Sequence, residues 1–263
     1  MPRAKEEGRL RYFPKFASRY LSTSRDLVVY LPPGYHQGDW RCPVLYLQDG
    51  QNLFDPETAF CRNDWRADIS ADQLIYHGSV PPTIIVGIYN VGAKRMSEYT
   101  PTRDKGRNKG GKADRYAQMT AREIKPFIDR EFRTLKAASH TGIGGSSLGA
   151  LVSLQTALLY PRVFGNAALM SPSVWWDNRV VLRYVSEYSG SVRPRVWLDI
   201  GTEEGDNPHQ IVEDTRMLRH VLVDRGWEPG RSLAYHEVPG GSHSEHAWAA
   251  RFGFLLTWMF GRQ

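Results

Sequence analysis

The sequence predicts an α/β fold, with a mostly parallel central sheet covered by helices on both faces. Three observations predict it. Short, largely apolar runs, such as VLYLQD (44–49) and TIIVGIY (83–89), alternate with longer stretches at helical spacing. Runs of this kind suit strands buried on both faces, where period-two alternation disappears. A glycine-rich turn, GIGGSSLGA (142–150), joins one such run to a stretch with the apolar density of a buried helix.

The elements follow in order. DLVVYL (26–31) reads as a strand that stops at the turn signal PPGY. VLYLQD is the next strand, WRADISADQLIYHG (65–78) a helix, and TIIVGIY a buried strand rich in β-branched residues. ADRYAQMTAREIKPFIDREF (113–132) has helical spacing, with a kink expected at Pro126. HTGIG is a short strand entering the glycine-rich turn, and 147–160 is the helix leaving it. NAALMSP and RVWLDIG (195–201) are strands. The stretch 209–227 is an amphipathic helix with Ile211, Met217, Leu218, Val221 and Leu222 near one face. SLAYHEVP (232–239) is the last strand and 244–260 the closing helix.

Composition narrows the function. The chain has 263 residues, 41% of them hydrophobic, enough for one large core, so a single domain over 1–263 is expected. Net charge is +6, but Lys and Arg are spread along the chain. No zinc-finger spacing or RNA-binding signature occurs, so no nucleic-acid partner is expected. Cys42 and Cys61 make neither a disulfide framework nor a metal site. MPRAKEEGRL at the start has charge but no apolar core after it, so neither a secretory signal nor a membrane anchor is expected, and the default is cytoplasmic.

Chemistry in a parallel sheet belongs on loops at the carboxyl ends of strands. One window there, Gly145–Gly149, satisfies G-x-S-x-G, and it selects Ser147 over Ser146. A serine at a sharp strand-to-helix turn needs small neighbours, and the helix N-terminus favours developing negative charge. Its hydroxyl is a weak nucleophile and needs a base, which in turn needs an orienting acid. His243, directly after the turn glycines of VPGGSHSEHAW, is positioned to be that base, whereas His246 falls in the last helix. The acid should follow RVWLDI, with Asp199, Glu203, Glu204 and Asp206 as candidates. Glu204, three residues past Gly201, is the first choice and Asp206 the alternative. The oxyanion donors would be the backbone N–H groups of Leu148 and of Gln51 in DGQNLFD.

VYLPPGY, PVLYLQDGQNLFD, VGIYN with RMSEYTP, EIKPFIDREFRTL, GGSSLGA, VFGNAALMSPSVWW, LDIGTEEGDN and GGSHSEHAW stand in a familiar order. It resembles the esterase family of α/β-hydrolases that includes feruloyl esterases, esterase D-like S-formylglutathione hydrolase and enterochelin esterases. The small enterochelin-esterase-like members are the nearest likeness. The resemblance covers about residues 25–260. It implies an α/β-hydrolase fold and a serine carboxylic-ester hydrolase with Ser147, His243 and Glu204 in catalysis. It also implies no metal, no cofactor, and a small-molecule ester as partner. Relatives read G-S-S-M-G-G, where this chain has Leu148 and Ala150, and they often carry Asp as the acid.

The substrate is left open between a siderophore lactone and an aromatic or aliphatic ester. Acyl transfer on the same triad, or a binding protein without turnover, are the alternatives. Tyr89, Tyr99, Trp175 and Trp176 are aromatics near predicted loops, and Trp176 and Arg95 are taken as candidate substrate contacts. The stretch between Asn90 and Ala113 fits no element, and 90–115 is expected to be a flexible insertion near the site. Its part 103–115 holds six basic and two acidic residues, which suits either a solvated loop or a flap that guides anions. Oligomeric state is not readable.

Overall fold

The structure, a computed structural model, describes residues 9–261. Most of the N-terminal segment MPRAKEEGRL therefore lies outside the described residues. The strands are β1 (Leu10–Phe16), β2 (Arg25–Tyr30), β3 (Val44–Gln48), β4 (Ile84–Ile88), β5 (Arg103–Asp104), β6 (Lys109–Gly110), β7 (Thr141–Ser146), β8 (Asn166–Met170), β9 (Arg195–Gly201) and β10 (Leu233–Val238). The helices are α1 (Ala67–Tyr76), α2 (Arg95–Glu98), α3 (Ala113–Met119), α4 (Lys125–Glu131), α5 (Leu148–Leu159), α6 (Trp176–Ser186), α7 (Pro208–Asp224) and α8 (Glu245–Phe260).

Eight strands form one sheet in the order β1-β2-β4-β3-β7-β8-β9-β10. β2 is antiparallel to both β1 and β4. From β4 to β10 every pairing is parallel. The inner strands β3, β4, β7 and β8 are buried at every position, which is why they read as continuous apolar runs. One face packs under α3, α5, α6 and α7 through Tyr116, Met119, Leu151, Val181 and Leu218. The other packs under α1 and α8 through Ala71, Phe252 and Leu255. This is the α/β-hydrolase architecture that the sequence predicts. Among the described residues, no helix is long and apolar enough to cross a membrane.

Five features differ from the sequence reading, the first being α6, which no predicted element anticipates. β1 likewise has no counterpart in that reading. Its pairing with β2 shifts register between Phe13 and Phe16, at a bulge holding Pro14 and Lys15. The helix from 113 continues through a π-helical turn, Thr120–Ile124, into α4, with Pro126 just beyond. Proline lacks an N–H, and the widened turn absorbs that loss without ending the helix. In α7 the buried positions are Val212, Asp214, Thr215, Leu218 and Leu222, while Met217 is exposed. Asp214 turns inward because Arg179 of α6 pairs with it at 2.7 Å. Finally, 90–115 contains elements: a 3-10 turn at Gly92–Lys94, the single turn α2, and the β5–β6 hairpin.

Candidate functional site

β7 ends at Ser146 and α5 begins at Leu148. Ser147 joins them at φ 58° and ψ −125°, a backbone state that residues other than glycine seldom adopt. Small neighbours make room for it. A Cβ at Gly145 would lie 2.9 Å from Gln48 Cβ, and one at Gly149 would lie 3.0 Å from the same atom. Two backbone bonds hold the turn, Ser147 N–H to Met170 O at 3.0 Å and Ser173 N–H to Ser147 O at 3.2 Å. The Ser147 hydroxyl stands 3.1 Å from Ser173 Oγ in a hydrogen bond. Leu148 N–H belongs to the first turn of α5, where intrahelical acceptors are missing.

His243 lies in the loop between β10 and α8, with its ring edge-on to Trp248 at 4.9 Å. Its Nδ1 is 2.7 Å from Glu204 Oε2. Glu204 is fully buried, and its Oε1 accepts from Gly201 N–H at 2.8 Å and from the Ser171 hydroxyl at 2.5 Å. With a carboxylate at Nδ1, the neutral ring carries its proton there and leaves the Nε2 lone pair free. Asp206, the alternative acid, is exposed, and Glu203 is exposed beside it. Of the candidates in this loop, Glu204 is the one brought to His243. Asp199 is buried on β9, where it accepts from Trp197 Nε1–H at 2.7 Å and lies 3.4 Å from Arg251 Nη1. Burial pushes its carboxyl up to about 6, against the pull of Arg251.

Gln51 sits in a 3-10 turn, Gly50–Asn52, directly after β3. The left-handed residue of this turn is Asp49, with φ 55°. Gly50 serves differently from a turn-former: a Cβ there would lie 2.4 Å from the backbone carbon of Gly87. The Asp49 carboxylate takes both Arg95 Nε and Nη2 at 2.7 Å, and Asn90 Nδ2 at 2.7 Å. Arg95, a predicted substrate contact, thus has its charge matched by Asp49.

One cavity of about 450 Å³ is lined by Ser147, His243, Gln51, Arg95, Glu245 and Cys61, among others. Trp176, the other predicted substrate contact, is not among its lining residues. It is fully buried and donates its indole N–H to Thr102 O at 3.2 Å. Trp175 beside it is exposed, with Arg107 stacked over its ring at 4.9 Å. Arg107 also pairs with Asp104 at 2.9 Å, so part of the basic stretch is matched within its own hairpin.

The sequence reading missed four residues here: Ser171, Ser173, Arg251 and Glu245. The two serines follow β8 directly, so the rule that chemistry sits at carboxyl ends of strands points to them. Arg251 and Glu245 lie in a helix whose pattern carries no such signal. Arg251 Nη2 and Trp248 Nε1 both donate to Ser171 Oγ, at 3.1 and 2.9 Å. Glu245 accepts from Asn52 Nδ2 at 2.8 Å and Trp65 Nε1 at 2.6 Å. Burial pushes its carboxyl up to about 7; the Trp65 bond pulls the other way, and the Asp49 charge adds to the rise.

A strained serine heading a helix, with an imidazole tied to a buried carboxylate lining the same cavity, is an arrangement that can support nucleophilic hydrolysis. Residues 18–258 match the family described as "Putative esterase", and the chain belongs to that family. It is a carboxylic ester hydrolase. The Bacillus subtilis (strain 168) protein YbbA is 25% identical over 257 residues, 93% of this chain and 96% of its own. The BES protein from Bacillus cereus superposes with a TM-score of 0.74 at 20% identity, over 97% of this chain and 96% of its own. The enterobactin esterase FES from Shigella flexneri, solved in the presence of enterobactin, superposes at 0.73 and 20% identity. That match covers 95% of this chain and 57% of FES.

Proposed function

We propose that the protein hydrolyses carboxylic esters through a covalent acyl-enzyme on Ser147. The observation that carries this reading is that His243, which lines the same cavity as the strained Ser147, is bonded to the buried Glu204. His243 takes the proton from Ser147 as Oγ attacks the ester carbonyl. The oxyanion is held by the N–H groups of Leu148 and Gln51, and loss of one such donor costs on the order of 100-fold or more in rate. His243 then returns its proton to the leaving alcohol, and water repeats the cycle to release the acid. Glu204 keeps the imidazole in the right tautomer throughout. The Ser147–Ser173 bond belongs to the resting site, and catalytic contacts often tighten only with substrate bound. The substrate is a siderophore lactone or an aromatic or aliphatic ester, and the likeness to FES supports the first of these.

The test is labelling with a fluorophosphonate, followed by peptide mapping. Ser147 should carry the label, and Ser147→Ala should abolish hydrolysis of p-nitrophenyl esters. A label on Ser146 would sink the assignment. A panel of enterobactin-type trilactones, feruloyl esters, S-formylglutathione and short aliphatic esters then ranks the substrates.

A further inference from the structure

Glu245 is a buried carboxylate that the hydrolytic cycle does not use. It lies two residues after His243, at the start of α8, and lines the cavity that holds Ser147. Each oxygen has one strong donor, Asn52 Nδ2–H on Oε1 and Trp65 Nε1–H on Oε2. Those donors are themselves anchored. Asn52 Oδ1 accepts from Phe60 N–H at 3.0 Å, and Trp65 N–H donates to Asn52 O at 2.8 Å. Asn52 is the direct neighbour of Gln51, whose N–H is the proposed oxyanion donor. The carboxylate therefore spans the two loops that must agree in position for the reaction to proceed.

We propose that Glu245 is a positioning residue whose carboxylate clamps the Gln51 loop to the His243 loop and so sets the oxyanion donor relative to the base. The proposal rests on the serine-hydrolase reading. A simple helix-capping acid would need only the N-terminal amides of α8, yet these two bonds reach outside the helix. The clamp is strongest in the ionised form, because hydrogen bonds to a charged carboxylate are stronger and a proton would occupy one of its lone-pair sites. The charged groups facing Glu245 are Asp49 from the oxyanion loop, Arg95 from α2 and His243 from its own loop. Asp49 opposes ionisation, and the other two favour it when charged. As burial holds the carboxyl near 7, the clamp tightens as pH rises through that region.

The experiment compares kcat and KM for p-nitrophenyl acetate across pH 5–9 in wild type, Glu245→Gln and Trp65→Phe, with fluorophosphonate labelling alongside. Glutamine can accept from only one of the two donors. Glu245→Gln should lower kcat on the order of 10- to 100-fold, the scale of a small misplacement of catalytic groups, with KM within about twofold. Its acid limb should lose the extra descent that wild type shows around pH 7 and keep the remaining ionisation, as one titrating group disappears. Trp65→Phe keeps the ring but removes a donor to the ionised form, so its acid limb should move to higher pH. It also decides the matter should Glu245→Gln fail to fold. An active wild type with unchanged kcat and slope in Glu245→Gln, or an unmoved limb in Trp65→Phe, overturns the clamp alone. A wild type that neither labels nor turns over ester overturns the hydrolase reading, and the clamp with it.

Discussion

Glu204 and Asp199 are two fully buried carboxylates five positions apart, and both lie within reach of Arg251. Their surroundings differ in donors, not in depth. Glu204 faces a backbone N–H, the Ser171 hydroxyl and the His243 ring. In Asp199, Oδ2 takes the Trp197 indole, while Oδ1 has no hydrogen bond among the described residues. Burial accordingly pushes Asp199 up to about 6. Equal burial thus leaves one carboxylate met by three partners, an imidazole among them, and another that holds a proton into mildly acidic solution. Arg251 serves both, and its charge compensates two acids at the foot of the site.

The strongest test of this contrast is Glu204→Gln. It should cut kcat about 10⁴-fold, the scale seen when a triad acid loses its charge, while the thermal midpoint moves little. Near-normal turnover would leave a working Ser147–His243 dyad and erase the difference between the two acids. Arg251→Met should cost about 3–5 kcal/mol in urea unfolding, because it strands buried carboxylates without their cation. Asp199→Asn acts on the pH dependence of stability. The folded carboxyl near 6 lies above its ordinary 3.8, so the folded state binds more protons between those values. The contribution of Asp199 to stability should therefore fall as pH rises from about 4 to 6, by about 3 kcal/mol at most. Asp199→Asn should flatten that fall while keeping turnover within a few fold. The smallest effect is expected for Ser173→Ala, which removes only the resting partner of Ser147. Its kcat should stay within about threefold, and a larger loss would show that Ser173 takes part in the reaction.

The parallel strands are legible in the sequence because burial on both faces writes an unbroken apolar run. Ser147 is legible because its strained turn needs glycines two positions away on each side, at 145 and 149. Glu204 is legible only as one of several acids in a short loop, since burial decides among them and spacing does not encode burial. β1 escapes because Pro14 interrupts it and its side chains are half or fully exposed. α6 escapes because it opens with Asp177, Asn178 and Arg179 all at positive φ. The inward face of α7 is misread because an Arg179–Asp214 pair takes a place that hydrophobicity would assign to Met217. Glu245 and Arg251 meet their partners only through long-range packing, with Asn52 193 positions away from Glu245.

The bulge in β1 bears on how these molecules behave when crowded. An open sheet edge offers free N–H and C=O groups to any passing strand. Here Lys15 adopts φ 56° and donates its N–H inward to Asp26 Oδ1 at 2.8 Å, and Pro14 has no N–H to offer. Arg11 and Lys15 lie exposed along the same edge. A second sheet approaching this side would meet a broken ladder and positive charge, so edge-to-edge stacking into fibres is disfavoured from the first contact.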